Sequence, residues 1–177
     1  MSHMELKEKM RIIEDFPAPG ISYKDITTIL QDPKAFREMV DALCEALAGV
    51  SFDYILGVEA RGFVCGAPVA YAMQKGFIMV RKPGKLPGRL VRQDYTLEYG
   101  EAAVEMDRDS LPKGARVVVM DDILATGGTA AASCALAKEV GAEVVRVQFL
   151  TELTSVGGRQ ALETRGYEVN ALLQWDH

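Results

Sequence analysis

No long apolar run occurs in this sequence. Its hydrophobic stretches are short and broken by charge, which excludes a membrane-spanning helix. Cysteine is scarce too. Cys44, Cys65 and Cys134 sit in apolar helical patterns with neither a C-x-x-C nor a metal-type spacing, so the expectation is reduced, buried thiols in a cytoplasmic protein. Cationic excess is also missing. Twenty Lys and Arg stand against 25 Asp and Glu, a net charge of −5, which argues against a nucleic-acid partner and against a membrane surface. There is no internal repeat, low-complexity tract or linker, and the 177 residues read as a single domain. Met1-Ser2-His3 reads as a cloning remnant ahead of Met4, so His3 carries no functional weight. Two familiar nucleotide signatures are absent: no Gly-Lys-Ser/Thr follows a glycine loop, and no spaced-glycine dinucleotide fingerprint occurs.

What is present is concentrated in residues 116–129. Val117 to Met120 are four consecutive apolar residues, the mark of a strand buried on both faces. Two acids, Asp121 and Asp122, follow. Then comes a loop of small residues, Ala125, Thr126, Gly127, Gly128 and Thr129, which runs into an alanine-rich helical pattern over 130–140. A short loop between a parallel strand and a helix start offers unpaired N–H groups at the positive end of the helix dipole. It is a phosphate cradle, to which Thr126 and Thr129 add hydroxyl donors. Carboxylates beside it can accept from vicinal sugar hydroxyls. Together these describe a site for a ribose 5-phosphate.

The rest of the chain alternates helix and strand, which implies an α/β fold with a mostly parallel central sheet flanked by helices. Helices are expected over 5–14, 34–48 (capped by Asp32 with Pro33 in its first turn), 62–75 and 130–140. Strands are expected over 54–58, 77–80, 116–120, 144–150 and 169–173, with two antiparallel strands inside 89–106 around Tyr99-Gly100. Ligands of such sheets bind at the carboxyl ends of the strands, where three more clusters fall. Glu59-Ala60-Arg61 opens a helix, and Arg61 can clamp a phosphate or a base edge. Residues 81–89 place Arg81, Lys82, Lys85 and Arg89 among prolines and glycines, a loop of concentrated positive charge in an acidic protein, suited to a pyrophosphate. Residues 16–27 are extended by Pro17 and Pro19; there the Tyr23 ring can stack on a flat heterocycle while exposed main chain pairs with its edge.

In order and spacing, F-P-A-P-G-I-S-Y-K-D-I-T (16–27), E-A-R-G-F (59–63), R-K-P-G-K-L-P (81–87), Y-T-L-E-Y-G (95–100) and V-M-D-D-I-L-A-T-G-G-T (119–129) resemble the adenine phosphoribosyltransferases, within the type I phosphoribosyltransferase family. The resemblance implies the type I fold, with an N-terminal helix and base-binding hood over 4–30 and a flexible antiparallel loop. It implies adenine and 5-phosphoribosyl pyrophosphate (PRPP) as substrates, AMP and pyrophosphate as products, Mg2+ as cofactor and a homodimer. Carried onto this chain, Ala125 to Thr129 hold the 5-phosphate, and Asp121 and Asp122 the ribose hydroxyls. Glu59, Ala60 and Arg61 line the pyrophosphate site, where a non-proline cis peptide falls at Glu59–Ala60. Arg81, Lys82 and Lys85 reach pyrophosphate, across a dimer interface. Tyr23 and Ile123 sandwich adenine, and the Ser22 backbone reads its edge. Glu98 and Tyr99 lie on the closing loop, with Glu98 the candidate general acid/base. Mg2+ arrives through the diphosphate, with no direct protein ligand.

Two positions depart from the family pattern: Tyr23 replaces a common Phe, so its hydroxyl needs a partner, and Thr28 replaces a frequent Pro. Two other readings stay open. One is transfer to hypoxanthine, guanine or xanthine. The other is a PRPP-sensing regulator without catalysis, although the chain has no basic recognition helix.

Overall fold

Residues 2–97 and 99–177 are described by a computed structural model of the chain. From the N-terminus, helix α1 (His3–Lys9) leads into strands β1 (Arg11–Ile13) and β2 (Tyr23–Asp25), the short helix α2 (Thr27–Leu30) and the long helix α3 (Pro33–Leu47). The central elements follow: β3 (Tyr54–Val58), α4 (Arg61–Ala72), β4 (Gly76–Val80), an arm of β5 (Leu90–Thr96) and β6 (Glu101–Asp107), then β7 (Arg116–Leu124) and α5 (Gly128–Glu139). The chain closes with β8 (Glu143–Leu153), a single 3-10 turn, α6 (Gly158–Thr164) and β9 (Val169–Trp175).

Five strands form one sheet in the order β4-β3-β7-β8-β9, all parallel, and β7 lies at its centre. The apolar run of β7 explains that position. Its alternation divides between two cores: Val117 and Val119 face the side that includes Leu136, Ala137 and Leu162, whereas Val118 and Met120 face Met39, Leu43 and Val69. All four are fully buried, as a strand covered on both faces requires. Helix α3 starts as its sequence demands, with the Asp32 side chain accepting from Lys34 N at 3.0 Å and Ala35 N at 3.2 Å and Pro33 at the first position. The arm lies outside the main sheet as a two-stranded antiparallel ribbon, with Tyr95 opposite Ala102 and Thr96 opposite Glu101.

Three expectations need correction. The N-terminal helix does not run over 5–14: Met10 turns extended at φ −73, ψ 125, and β1 then pairs antiparallel with β2. Long-range bonds outweigh helical period there. Arg11 Nε donates to Asp25 Oδ2 at 2.9 Å, and the Thr28 hydroxyl donates to Lys9 O at 2.6 Å. The hood is correspondingly more regular than an extended connector, holding β2 and α2. Strand β7 runs on past Met120 to Leu124, because β8 continues to pair with it through Ile123 and Leu124. Helix α6 was not expected from the sequence at all. Ser2, in the presumed cloning remnant, caps α1 by accepting from Glu5 N.

Candidate active site

The carboxyl ends of β3 and β7 open into a cavity of about 470 Å3. Its floor is the loop from β7 to α5. Gly127 there has φ +84, a left-handed conformation that a Cβ would strain, and it turns the chain into α5 without a capping side chain of its own, while the Gly128 N–H donates to Thr126 Oγ1 at 3.5 Å. The helix start and the N–H groups of its first turn therefore lie at the cavity together. Thr126, Gly128 and Thr129 line it, and the Thr129 hydroxyl donates to the Tyr95 hydroxyl at 3.1 Å.

Asp121 and Asp122, the last acids of β7, stand at the same wall. Asp122 is buried, and its carboxylate meets Arg61 Nε at 2.7 Å. Asp121 accepts from the Asp122 N–H at 2.8 Å. Withdrawal from water, and then the adjacent Asp122 charge, push the Asp121 carboxyl well above the ordinary aspartate range. Burial works against the Arg61 charge, but Asp122, Tyr23 and Asp121 outweigh it and hold the guanidinium above its ordinary value.

Opposite the loop, β3 is followed by Glu59 and a cis peptide to Ala60. Glu59 Oε2 accepts from Arg81 Nε at 2.8 Å and from Lys82 N at 3.0 Å. Burial raises the affinity of Glu59 for a proton, yet these bonds and the two positive charges prevail and hold its carboxyl below the usual range. The glutamate thus acts as a peg that keeps the start of the cationic loop at the cavity.

Most residues singled out from the sequence meet here. Glu59, Ala60, Arg61, Lys82, Asp121, Asp122, Ile123 and Ala125 through Thr129 line one cavity, and Arg81 stands behind it through Glu59. Tyr23 does not line the cavity, but it touches the wall: Arg61 Nη1 donates to its hydroxyl, and the guanidinium lies 5.3 Å from its ring centre. That is the partner its phenol required. Ser22 instead lines a separate hollow with Lys24 and Trp175. Lys85 is exposed and lines no part of the cavity, and Tyr99 is 88% exposed. Glu98 lies outside the described residues.

Tyr95 was missed by sequence reasoning, although it reaches into the cavity from the arm. Its signal was the alternation of β5, in which Val91, Gln93 and Tyr95 are covered while Arg92, Asp94 and Thr96 are exposed. Among the described residues no group of three or more His, Cys, Asp or Glu side chains is arranged to hold a metal ion. No helix among them is long and apolar enough to cross a membrane.

Comparison with known proteins agrees with this geometry. The model of the phosphoribosyl transferase domain family matches residues 22–165. An adenine phosphoribosyltransferase of Clostridium perfringens is 51% identical over 173 residues, covering 98% of this chain and 99% of that protein. The crystal structure of adenine phosphoribosyltransferase from Thermoanaerobacter pseudethanolicus superposes with a TM-score of 0.95 at 46% identity, covering 98% of this chain and 100% of the other. The Saccharomyces cerevisiae enzyme, solved with an imino-altritol bisphosphate and adenine, superposes with a TM-score of 0.90 at 38% identity, covering 97% and 98%. With the cradle, the paired acids and the cationic wall in one cavity, and with relatives matched from end to end, the chain belongs to the adenine phosphoribosyltransferase family.

Proposed function

We propose that the chain transfers the 5-phosphoribosyl group of PRPP to adenine, giving AMP and pyrophosphate, and so serves purine salvage in the cytoplasm. One observation carries the reading. A single cavity brings together an anion cradle, two carboxylates and the cations Arg61 and Lys82, the complement of charges that a phosphorylated ribose bearing a diphosphate calls for.

The roles follow from position. Backbone N–H groups of 125–129 and the threonine hydroxyls hold the 5-phosphate. Asp121 and Asp122 accept from the ribose hydroxyls. Arg61 and Arg81 are each engaged by an acid, Asp122 and Glu59 respectively; a diphosphate draws on them and on Lys82 and gains stabilisation as it leaves. As the bond from the anomeric carbon to the pyrophosphate oxygen breaks, a ring nitrogen of adenine bonds to that carbon, and the ring proton passes to a base. Glu98 is the group we assign to that proton. Ile123 in the cavity and Tyr23 at its Arg61 edge flank the adenine, with the Ser22 main chain at its rim. Tyr99 travels with Glu98 on the closing loop. Lys85 reaches pyrophosphate only in a homodimer, which is the assembly we assign.

A magnesium ion fits this donor set as a passenger of the diphosphate. Two adjacent carboxylates, one of them paired with Arg61, are too few for a protein cage, so the ion would be carried by the diphosphate and water with no direct protein ligand. When bound, the ion supplies neutralisation of the diphosphate charge.

The test is nucleotide formation from PRPP with adenine, hypoxanthine, guanine and xanthine, each with Mg2+ and with a chelator. AMP alone, dependent on Mg2+, is expected. A different nucleotide would overturn the adenine assignment. PRPP binding with no product from any base would replace the enzyme by a sensor.

A further inference from the structure

The phosphate cradle is backed by an element that contributes nothing to the cavity lining. The first turn of α6 lies directly behind the loop. A Cβ at Gly158 would stand 2.2 Å from Ala125 O and 2.7 Å from Leu124 Cδ1. In the reverse direction, a Cβ at Gly127 would stand 3.1 Å from Gly158 O and 3.5 Å from Leu162 Cγ. Two stretches of backbone are thus in contact with no side chain between them, and the height of one sets the height of the other.

The next residue fixes that height. Arg159 Nε donates to Glu152 Oε1 at 3.0 Å and Nη2 to Glu152 Oε2 at 2.6 Å, a two-pronged bond. Its Nη1 donates to Val169 O at 2.8 Å. Glu152, on β8, is only 3% exposed, and Gln174 Nε2 of β9 adds a donor at 3.4 Å. The guanidinium therefore ties the start of α6 to two neighbouring strands. Exposed ion pairs contribute little, whereas a bidentate one whose carboxylate is buried, as Glu152 is here, fixes geometry.

We propose that the Glu152–Arg159 pair, acting through Gly158, is the positioning device of the phosphate cradle, setting the Ala125–Gly127 backbone at the height that binds the 5-phosphate. The inference rests on the cradle reading above. Glu152, Gly158 and Arg159 are positioning residues, since none of them lines the cavity. They act on the phosphate end of the substrate and leave the base end alone.

The experiment measures KM for PRPP, KM for adenine and kcat, together with calorimetric binding of ribose 5-phosphate, which carries the phosphate without the diphosphate. Gly158→Ala is expected to weaken both ribose 5-phosphate binding and KM for PRPP about tenfold, with KM for adenine within about twofold. Arg159→Lys shifts the same two constants by less, because an ammonium cannot reproduce the fork. The double variant Glu152→Gln with Arg159→Met removes both charges together, so that no unpaired carboxylate stays buried, and it should match Gly158→Ala. These two decide the matter if Gly158→Ala does not fold. Variants that lose thermal stability while both constants stay put would overturn the inference, leaving the pair a purely structural one. Gly127→Val, which disrupts the backbone of the loop itself, serves as the control. If that control leaves ribose 5-phosphate binding unchanged, the cradle reading fails and the inference with it. If the control weakens binding and the other variants do not, the inference alone fails.

Discussion

The two ends of the cavity are built in different ways. At the end we assign to the phosphate, the groups offered are main-chain N–H groups, held by a strand buried on both faces and by the close approach of α6 behind the loop. Side chains matter there mainly by being absent. At the end we assign to the base, the groups offered are side chains on an N-terminal segment that touches the cavity through one arginine, with Arg61 bridging the Tyr23 hydroxyl and the buried Asp122. Backbone in a packed core has one arrangement available to it, and a charged phosphate needs that fixity. A base that must enter and leave is better served by rings and a guanidinium whose contacts can be exchanged. The arm sits between these extremes: Tyr95 is bonded to Thr129 of the phosphate loop, whereas Tyr99, four residues on, is exposed.

The contrast can be broken at several points. The largest effect is expected at Glu98, where Glu98→Ala should lower kcat about a thousandfold while PRPP affinity persists; near-normal single-turnover rates would remove Glu98 from the proton transfer. Gly127→Val attacks the phosphate end through its backbone. It forces a β-branched residue to φ +84 and a Cβ to within 3.1 Å of Gly158 O. We expect kcat/KM for PRPP to fall about a hundredfold and stability to drop by about 2 kcal/mol. Full activity in that variant would mean the loop geometry is not what binds phosphate.

Smaller changes sharpen the comparison. Tyr23→Phe keeps the ring and removes the acceptor for Arg61, and KM for adenine should move by no more than about threefold. A change much larger than that, in steady-state assays, would make the phenol itself part of base recognition.

Asp121→Asn gives the smallest effect, visible as a pH dependence. The folded state raises the proton affinity of Asp121. Folding therefore costs progressively more as pH climbs through the ordinary aspartate value, near about 4, toward the raised value. The asparagine, which retains an acceptor for the Asp122 N–H, avoids that cost. Its stability relative to the unaltered chain should be unchanged at low pH and improve as pH rises, as read from urea midpoints. A relative loss at higher pH would mean that Asp121 ionises readily in the folded chain.

The sequence by itself determined the centre of the molecule. Val117 to Met120 form the strand covered on both faces that their unbroken apolar run favours, and the small residues 125–129 make the turn into α5 that their size favours; local pattern and tertiary role coincide there. For the same reason strand β3, the start of α3 and the antiparallel arm lie close to where periodicity and capping put them. Three of the four separated motifs, placed at strand ends by the logic of a parallel sheet, supply most of the cavity wall, and the fourth touches it through Tyr23 and Arg61. Tertiary structure decided what depends on partners far away in the chain. Residues 11–13 became a strand because Asp25 and Thr28 wait fourteen and more residues on. The acceptor for Arg61 on the Tyr23 ring lies 38 residues back. Gly158 reads as an ordinary loop glycine until the fold carries it against Ala125, 33 positions earlier. Periodicity reports which face of an element is buried, but it carries no information about which distant backbone will press on it, and only packing settles that.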